Sequence, residues 1–399
     1  MKTGLEDKYV IKDNKKLALG YTTGSCAAGA AKAAAIMAFT GESLEYVSLL
    51  TPKGILLNLE LHDIDLENVK NKEVSCAIKK FSGDDPDVTN GILVYAKLNL
   101  EKDLSLNRTE VIIEGGTGVG RITKPGLEQN IGEAAINSVP RKMIRDEVLA
   151  VCEENDFLGR ARVTISIPEG VELAKRTINP RLGIEGGISV LGTSGIVEPM
   201  SEEALKASIR LEMSMKKKNG ADYLIITPGN YGTAYLKTAL PVSGIDALKC
   251  SNYVGETIDM VVELGYKGIL FVSHIGKFIK LAAGIMNTHS RWADARMEIM
   301  AANALRAGAP KEVCLEILDA MTTDEGISIL KREDLLESVM KLIMDKILFY
   351  LDNRAYGKLK LGVIVFSNEH GELGKAGCVE ELIEDVGNFI RSGDRTGRS

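Results

Sequence analysis

Four short, almost wholly apolar runs constrain this chain most. They span residues 188–191, 223–227, 268–273 and 361–367, and each leads into glycine, proline, serine or asparagine. A strand with one wet face alternates apolar and polar residues, whereas a continuous apolar run of strand length suits a strand covered on both faces. Helix-forming segments separate the runs, so the pattern predicts an α/β domain with a mainly parallel sheet. Ligands in such sheets bind beyond the carboxyl ends of the strands. Here those ends are residues 192–195, 228–232, 274–277 and 368–371, all glycine-containing.

The preceding residues read differently. Segments 46–50, 55–61, 73–80, 91–98, 110–114 and 162–167 are alternating or β-branched and bounded by turn residues, with one helix expected at about 140–155. An alanine-rich segment ending near Phe39 is a further helix, with Thr23 or Ser25 as its cap. Strands with helices segregated from them suggest an α+β domain. The change of pattern near 170–185 divides the chain into residues 1–180, α+β, and 181–399, α/β. Later helices are expected at about 253–264, 291–307, 311–321 and 334–352, with a frayed polar tail over 391–399.

Composition narrows the function classes. A net charge of −6 argues against a nucleic-acid binder that relies on a broad basic field. The Lys216–Lys218 run, followed by Asn219 and Gly220, reads as cations at a helix end. Segment 27–39 is too short to span a bilayer and is broken by Lys32. Met1 to Lys16 holds no apolar signal segment, so no membrane association and a cytoplasmic location are expected. Six scattered cysteines without a C-x-x-C pair fit a reducing compartment. The four histidines show no metal-ligand spacing, and no metal site is expected.

Several constellations carry chemistry. Residues 179–201 are dense in glycine and read as strand, bare-backbone loop and helix. That arrangement commonly holds the nucleotide part of a ligand, or else forms tight turns in a compact domain. Residues 114–121, E-G-G-T-G-V-G-R, are an anion nest or a glycine-rich bulge, and lack the G-K-[ST] of a P-loop. Residues 82–89 pack three carboxylates into four positions, as a turn or an acidic loop beside a ligand in preference to a metal site. In 287–298, Asp294 and Glu298 are spaced to share a helix face, and Arg291 to pair with Asp294. The only tryptophan, Trp292, sits among them. His289 is the preferred proton acceptor there, with His274 second. Arg121, Lys124, Arg141, Lys142, Arg181, Lys277 and Arg291 stand near glycine loops. They suit a ligand with several carboxylates, or are ordinary solvated cations.

Six blocks resemble one family. They are G-Y-T-T-G-S-C-A-A-G-A-A-K (20–32), G-D-D-P-D-V-T-N-G (83–91), G-G-T-G-V-G-R-I-T-K-P-G-L (115–127), the run from Asn179 to Ser201, T-P-G-N-Y-G (227–232) and H-I-G-K-F-I-K-L-A-A-G-I-M-N-T-H-S (274–290). In this order, over nearly the whole chain, they resemble the CbiD family, the cobalt-precorrin-5B (C1)-methyltransferases of anaerobic cobalamin biosynthesis. The resemblance implies S-adenosylmethionine as methyl donor and a cobalt corrinoid as small-molecule acceptor, with cobalt only as part of the substrate. It implies methylation of C-1 to give cobalt-precorrin-6A. It also implies an α+β domain resembling the ribosomal protein S5 second-domain fold, followed by an α/β domain. Ala134, Ala135 and Ser138 look like local variants of the family pattern.

The family brings no usual methyltransferase fingerprint, so the expected contacts follow from loop placement. The donor is expected on Gly192, Thr193, Ser194, Gly195, Pro228, Gly229, Asn230 and Gly232, with Glu198 toward its ribose. The acceptor is expected against Thr22, Thr23, Ser25, Gly116, Thr117, Gly118, Arg121, Arg181, His274, Lys277 and Arg291. His289 or Asp294 is expected to take a proton. All of these are expected to gather at one cleft. A nicotinamide-dependent oxidoreductase competes with this reading, but needs a G-x-G-x-x-G that is absent. A non-enzymatic corrinoid-binding protein also competes. No sequence feature indicates the oligomeric state.

Overall fold

Alanine governs the first unit. The helix α1 (Thr23–Thr40) is buried on nearly every side, because its small side chains let neighbours close in from all directions. Thr22 caps it by accepting from Ser25 N, and Gly41 ends it in the left-handed conformation. Gly29 marks the closest approach: a Cβ there would lie 2.7 Å from Leu59 Cδ1 and 2.8 Å from Ile78 Cδ1. The computed structural model describes residues 2–239 and 246–396, as two units, Met1–Glu202 and Glu203–Ser399.

The sheet under α1 comprises β1 (Tyr46–Leu50), β2 (Leu56–Asp65), β3 (Glu73–Lys79), β4 (Leu93–Lys102), β5 (Glu110–Gly115) and, after the helix α2 (Ser138–Glu154), β6 (Gly159–Ser166). Their order is β1-β2-β3-β4-β6-β5. All neighbours are antiparallel except β6 with β5, the pair that α2 connects. Buried residues alternate along β4 and β6, as a sheet with one covered face requires. Val94, Ala96, Leu98, Val163 and Ile165 join the α1 alanines in one core.

The second unit opens with α3 (Glu202–Lys218), which ends at the lysine run and is followed by Gly220 at φ 93°. Its sheet holds β7 (Tyr223–Thr227), then, after the helix α4 (Asn230–Ala239), β8 (Leu248–Lys249). After α5 (Val254–Glu263) come β9 (Gly268–His274) and the helices α6 (Arg296–Arg306), α7 (Lys311–Asp319), α8 (Thr323–Arg332) and α9 (Leu336–Ala355). The chain then forms β10 (Lys360–Ser367), β11 (Gly371–Gly377) and α10 (Val379–Thr396). The order is β8-β7-β9-β10-β11, parallel but for the edge strand β11. Alternate strand residues enter different cores. Leu224, Ile226, Ile269, Phe271, Val363 and Val365 join one, and Ile225, Leu270, Val272, Ile364 and Phe366 the other. Both faces are covered, which is why these strands carry no polar alternation. The molecule is thus mixed α and β with mixed sheets.

The structure corrects four expectations. The run 188–191 is not a strand of the parallel sheet: Gly187–Ile188 pairs with Gly118–Val119, and Ile196–Val197 with Gly20–Tyr21, all in the first unit. The boundary accordingly falls at Glu202/Glu203, and not at 180/181. The helix expected from Arg291 starts at Arg296, because Ala295 takes φ 55° and breaks the backbone there. The tail expected to fray from 391 continues α10 to Thr396, and residues 397–399 lie outside those described. No described helix is long and apolar enough to cross a membrane.

Candidate functional site

The candidate residues fall into two groups, one in each unit. In the first unit the loop 191–195 lies across the start of α1. Leu191 O accepts from Gly24 N at 2.9 Å, and Gly195 O accepts from Thr22 N at 3.1 Å and from Ser25 Oγ at 2.7 Å. Gly192 is glycine because a Cβ would lie 2.2 Å from Thr22 Oγ1; Gly195, at φ 77°, abuts Thr51 and Ser25. Gly24 N and Ser25 N, which the helix start would have offered to a ligand, are therefore taken up by protein. Thr23 and Ser25 are buried. Thr193 is exposed. Ser194 O accepts from Lys53 N, and Glu198 forms an ion pair with Lys53.

The glycine run at 115–120 is likewise consumed internally. Gly116 N donates to Ile165 O, Val119 N to Gly116 O and Gly120 N to Ile188 O. Gly118, at φ 75°, sits where a Cβ would lie 1.7 Å from Ile167 O. Thr117 is exposed beside them. Arg121 donates to Gly115 O and Gly132 O and pairs with Glu114 at 3.1 Å. Arg141 donates to the carbonyls of Ile136, Ile113 and Ala134, so it braces backbone. Arg181 is exposed at the end of a short 3-10 turn, Asn179–Leu182. The acidic loop also holds structure. Asp84 accepts from Ala18 N, Asp85 from Met200 N, and Asp87 pairs with the buried Lys80.

The second unit assembles a rim at the carboxyl ends of β7, β9 and β10. Lys277 Nζ donates to Pro228 O at 3.1 Å, tying the turn after β9 to the turn after β7. The Tyr231 ring lies 5.7 Å from the His274 ring, and His274 meets Phe366 edge-on at 5.7 Å. Gly232 packs a turn of α4 against β7 and β9, where a Cβ would lie 2.6 Å from Val272 O. Gly229 differs: a Cβ there would meet nothing closer than Lys277 Nζ at 3.8 Å. Lys249 Nζ donates to Asn230 Oδ1 at 2.9 Å. Burial lowers the pKa of both His274 and Lys277, and the Asp324 carboxylate opposes part of the fall at His274.

The segment 287–295 is fastened from below. Lys280 is buried, and its Nζ donates to Thr288 O at 3.2 Å and Ala293 O at 2.7 Å. Thr288 in turn bonds to Asn252, just beyond β8. His289 and Trp292 are exposed on this pinned turn. Asp294 makes two hydrogen bonds to Arg296, at 2.5 and 2.9 Å, and this lowers its pKa. Since Asp294 precedes α6, it does not share a helix face with Glu298.

Hydrogen bonds fix the state of two histidines. Gly276 N donates to His274 Nδ1, and Arg291 N donates to His289 Nδ1, both at 3.1 Å. A nitrogen that accepts carries no proton, so each neutral ring holds its proton on Nε2. Proton capture at Nδ1 would break the backbone hydrogen bond.

Sequence reasoning missed Asp324, Ser367 and the helix α8 that brings Asp324 to the rim. Ser367 Oγ donates to Asp324 Oδ1 and accepts from the Glu369 and His370 N–H groups. Asp324, Glu369 and His370 have ligand atoms within 4.8 Å of one another. Lys331 Nζ lies 3.1 Å from His370 Nδ1, and His370 Nε2 lies 3.2 Å from Asp324 O. Both ring nitrogens are thus engaged by protein, one of them by an ammonium, so these residues suit a hydrogen-bonded turn better than a metal site.

Known proteins match in the same regions. The family model described as CbiD matches residues 10–199, and the one described as CbiD, C-terminal domain, matches residues 287–377. The cobalt-precorrin-5B C(1)-methyltransferase of Ruminiclostridium cellulolyticum is 49% identical over 372 residues, 92% of this chain and 93% of that protein. Its counterpart in Alkaliphilus metalliredigens is 42% identical over 387 residues, 96% and 99% of the two chains. That of a Thermoanaerobacter species is 44% identical over 92% of this chain and 98% of its own. A solved structure, the cobalamin biosynthesis protein (cbiD) from Archaeoglobus fulgidus, is 26% identical and covers 72% of this chain and 86% of its own, with a TM-score of 0.38.

Proposed function

We infer the reaction from one premise: this chain belongs to the CbiD family, and it is a methyltransferase that acts on C-1 of cobalt-precorrin-5B. The observation that carries the reading is identity of 42–49% to proteins of that name over nearly the full length of both partners. We propose S-adenosylmethionine as the methyl donor and a cobalt corrinoid as the acceptor. Unit 1 is proposed as ribosomal protein S5 second-domain-like, on the support of two helices over a sheet with one parallel pair.

The chemistry is an in-line displacement. A nucleophilic ring carbon forms a bond to the methyl carbon as the carbon–sulfur bond breaks, and the sulfonium charge becomes a neutral thioether. Holding the methyl about 3 Å from the nucleophile, with the bonds aligned, supplies most of the acceleration. The acceptor leaves an iminium that sheds a proton. His289 and Asp294 are already engaged by Arg291 and Arg296, so little of the rate depends on either.

The donor's adenosyl part is proposed to lie along Pro228, Gly229, Asn230 and Gly232. Of the two glycine loops expected to hold it, this one keeps open space above a glycine. Two measurements test the reading. Methyl-labelled S-adenosylmethionine with a cobalt-precorrin-5B preparation should yield a labelled corrinoid, and an unlabelled acceptor under turnover conditions removes the reaction. Gly229→Val should lower donor affinity at least tenfold by filling the proposed site, whereas unchanged affinity removes the location.

A further inference from the structure

Of the seven cations read as possible carboxylate partners, Lys277 has the setting that best suits the role. It is half-buried at the carboxyl end of β9, and among the described residues no carboxylate pairs with it. Its one hydrogen bond among the described residues, to Pro228 O, uses one of three ammonium N–H groups. The nearby Cys250 supplies no countercharge, because burial pushes its thiol up to about 12 and keeps it neutral. Gly229 puts no side chain over the ammonium, which would lie 3.8 Å from a Cβ there. Three residues earlier, the His274 ring lies beside Tyr231; its Nδ1 lone pair is held against Gly276 N, and among the described residues nothing accepts from Nε2–H. An ammonium and a neutral N–H, flanking one glycine-opened turn, offer a carboxylate both charge and a second donor.

We propose that Lys277 and His274 form a carboxylate-binding pair at this rim, with His274 acting as a hydrogen-bond donor through Nε2 and not as a base. The proposal rests on the methyl-transfer reading above, in which both reactants bear carboxylates: the donor on its aminoacyl end, the acceptor on its acetate and propionate arms. His274 stays neutral near pH 7 because burial holds its pKa below the ordinary value, so charge recognition falls to Lys277.

Matched ligand pairs separate the two sources. S-adenosylhomocysteine carries the carboxylate and 5′-methylthioadenosine lacks it. Dicyanocobyrinic acid carries the arm carboxylates and its heptamethyl ester lacks them. Calorimetric titration of the full chain with all four should show that Lys277→Met weakens the carboxylate-bearing member of one pair about tenfold or more. The neutral member should stay within about twofold, which also reports an intact site. A loss in the first pair assigns the donor's carboxylate, and a loss in the second the acceptor's. His274→Gln, which keeps an amide N–H, should retain affinity within about threefold, while His274→Phe should lose it. Equal effects of Lys277→Met on both members of each pair, or none, overturn the proposal. His274→Gln as damaging as His274→Phe overturns the donor role. Gly229→Val distinguishes the failures. If it abolishes S-adenosylhomocysteine binding while Lys277→Met changes nothing, the pair falls and the donor site stands. If neither variant changes binding, the donor site falls too.

Discussion

Two glycine-rich turns in this chain look alike as sequence and sit in opposite surroundings. Around Gly118 and Gly187, glycine is required because backbone meets backbone. A Cβ on either would sit within 2.2 Å of a carbonyl oxygen, and the neighbouring N–H groups already have acceptors. At Gly229 no neighbouring atom lies closer than 3.8 Å to where a Cβ would be, and the nearest is the end of a flexible lysine. Glycine density therefore reports close approach of something, and only the surroundings say whether that something is protein or ligand.

The contrast can be broken by substitution. The largest effect is expected at Gly118. Its positive φ and the Ile167 carbonyl make Gly118→Ala cost about 4 kcal/mol or more in urea unfolding. Gly229→Ala should stay within about 0.5 kcal/mol. Similar costs at both sites would erase the distinction. Next is Lys280→Met, which strips the donors from Thr288 O and Ala293 O. Hydrogen exchange over 287–295 should accelerate about tenfold, consistent with the roughly 1–3 kcal/mol cost of orphaned acceptors. Unchanged exchange would show that the turn is held by other means.

A smaller effect concerns pH. The folded-state pKa of His274 is lowered from 6.5, so the unfolded chain binds its proton more readily. Its stabilising contribution is complete above pH 6.5 and is lost as the pH falls toward the folded value. Urea midpoints between pH 7.5 and 5 should drop more for the native chain than for His274→Gln; parallel curves would mean that the ring is not desolvated. The smallest changes are expected for His289→Gln and Asp294→Asn, each within about threefold of native turnover, as for a reaction in which neither side chain is the required base. A hundredfold loss in either would restore a protein base to the mechanism.

Much of the fold was legible in the sequence. The six strands of the main first-unit sheet lie within a few residues of their expected places because alternation or β-branching bounded by turn residues is a local signal, whereas the paired strands Tyr9–Lys12 and Lys15–Ala18 were not expected. Three of the four apolar runs proved to be strands of the parallel sheet. The fourth, 188–191, failed because a short apolar run does not disclose its partner, and Gly118–Val119 captured its first residue with Gly187. The edge strand β11 was missed because G-E-L-G-K-A-G carries neither alternation nor β-branching. For the site, the turns after β7 and β9 were legible as strand ends. Asp324 was not, since its place depends on a helix packed from elsewhere in the chain.

By itself the sequence determined the strand and helix types, the covered sheet and, through six blocks in order along the chain, the family resemblance. These follow from local periodicity and residue chemistry. Tertiary structure alone decided which glycines are spent on packing, which histidine nitrogen holds the proton and that Lys277 has no carboxylate paired with it among the described residues. Each of those depends on partners distant in sequence, because burial and hydrogen bonding are properties of the folded neighbourhood and not of the residue.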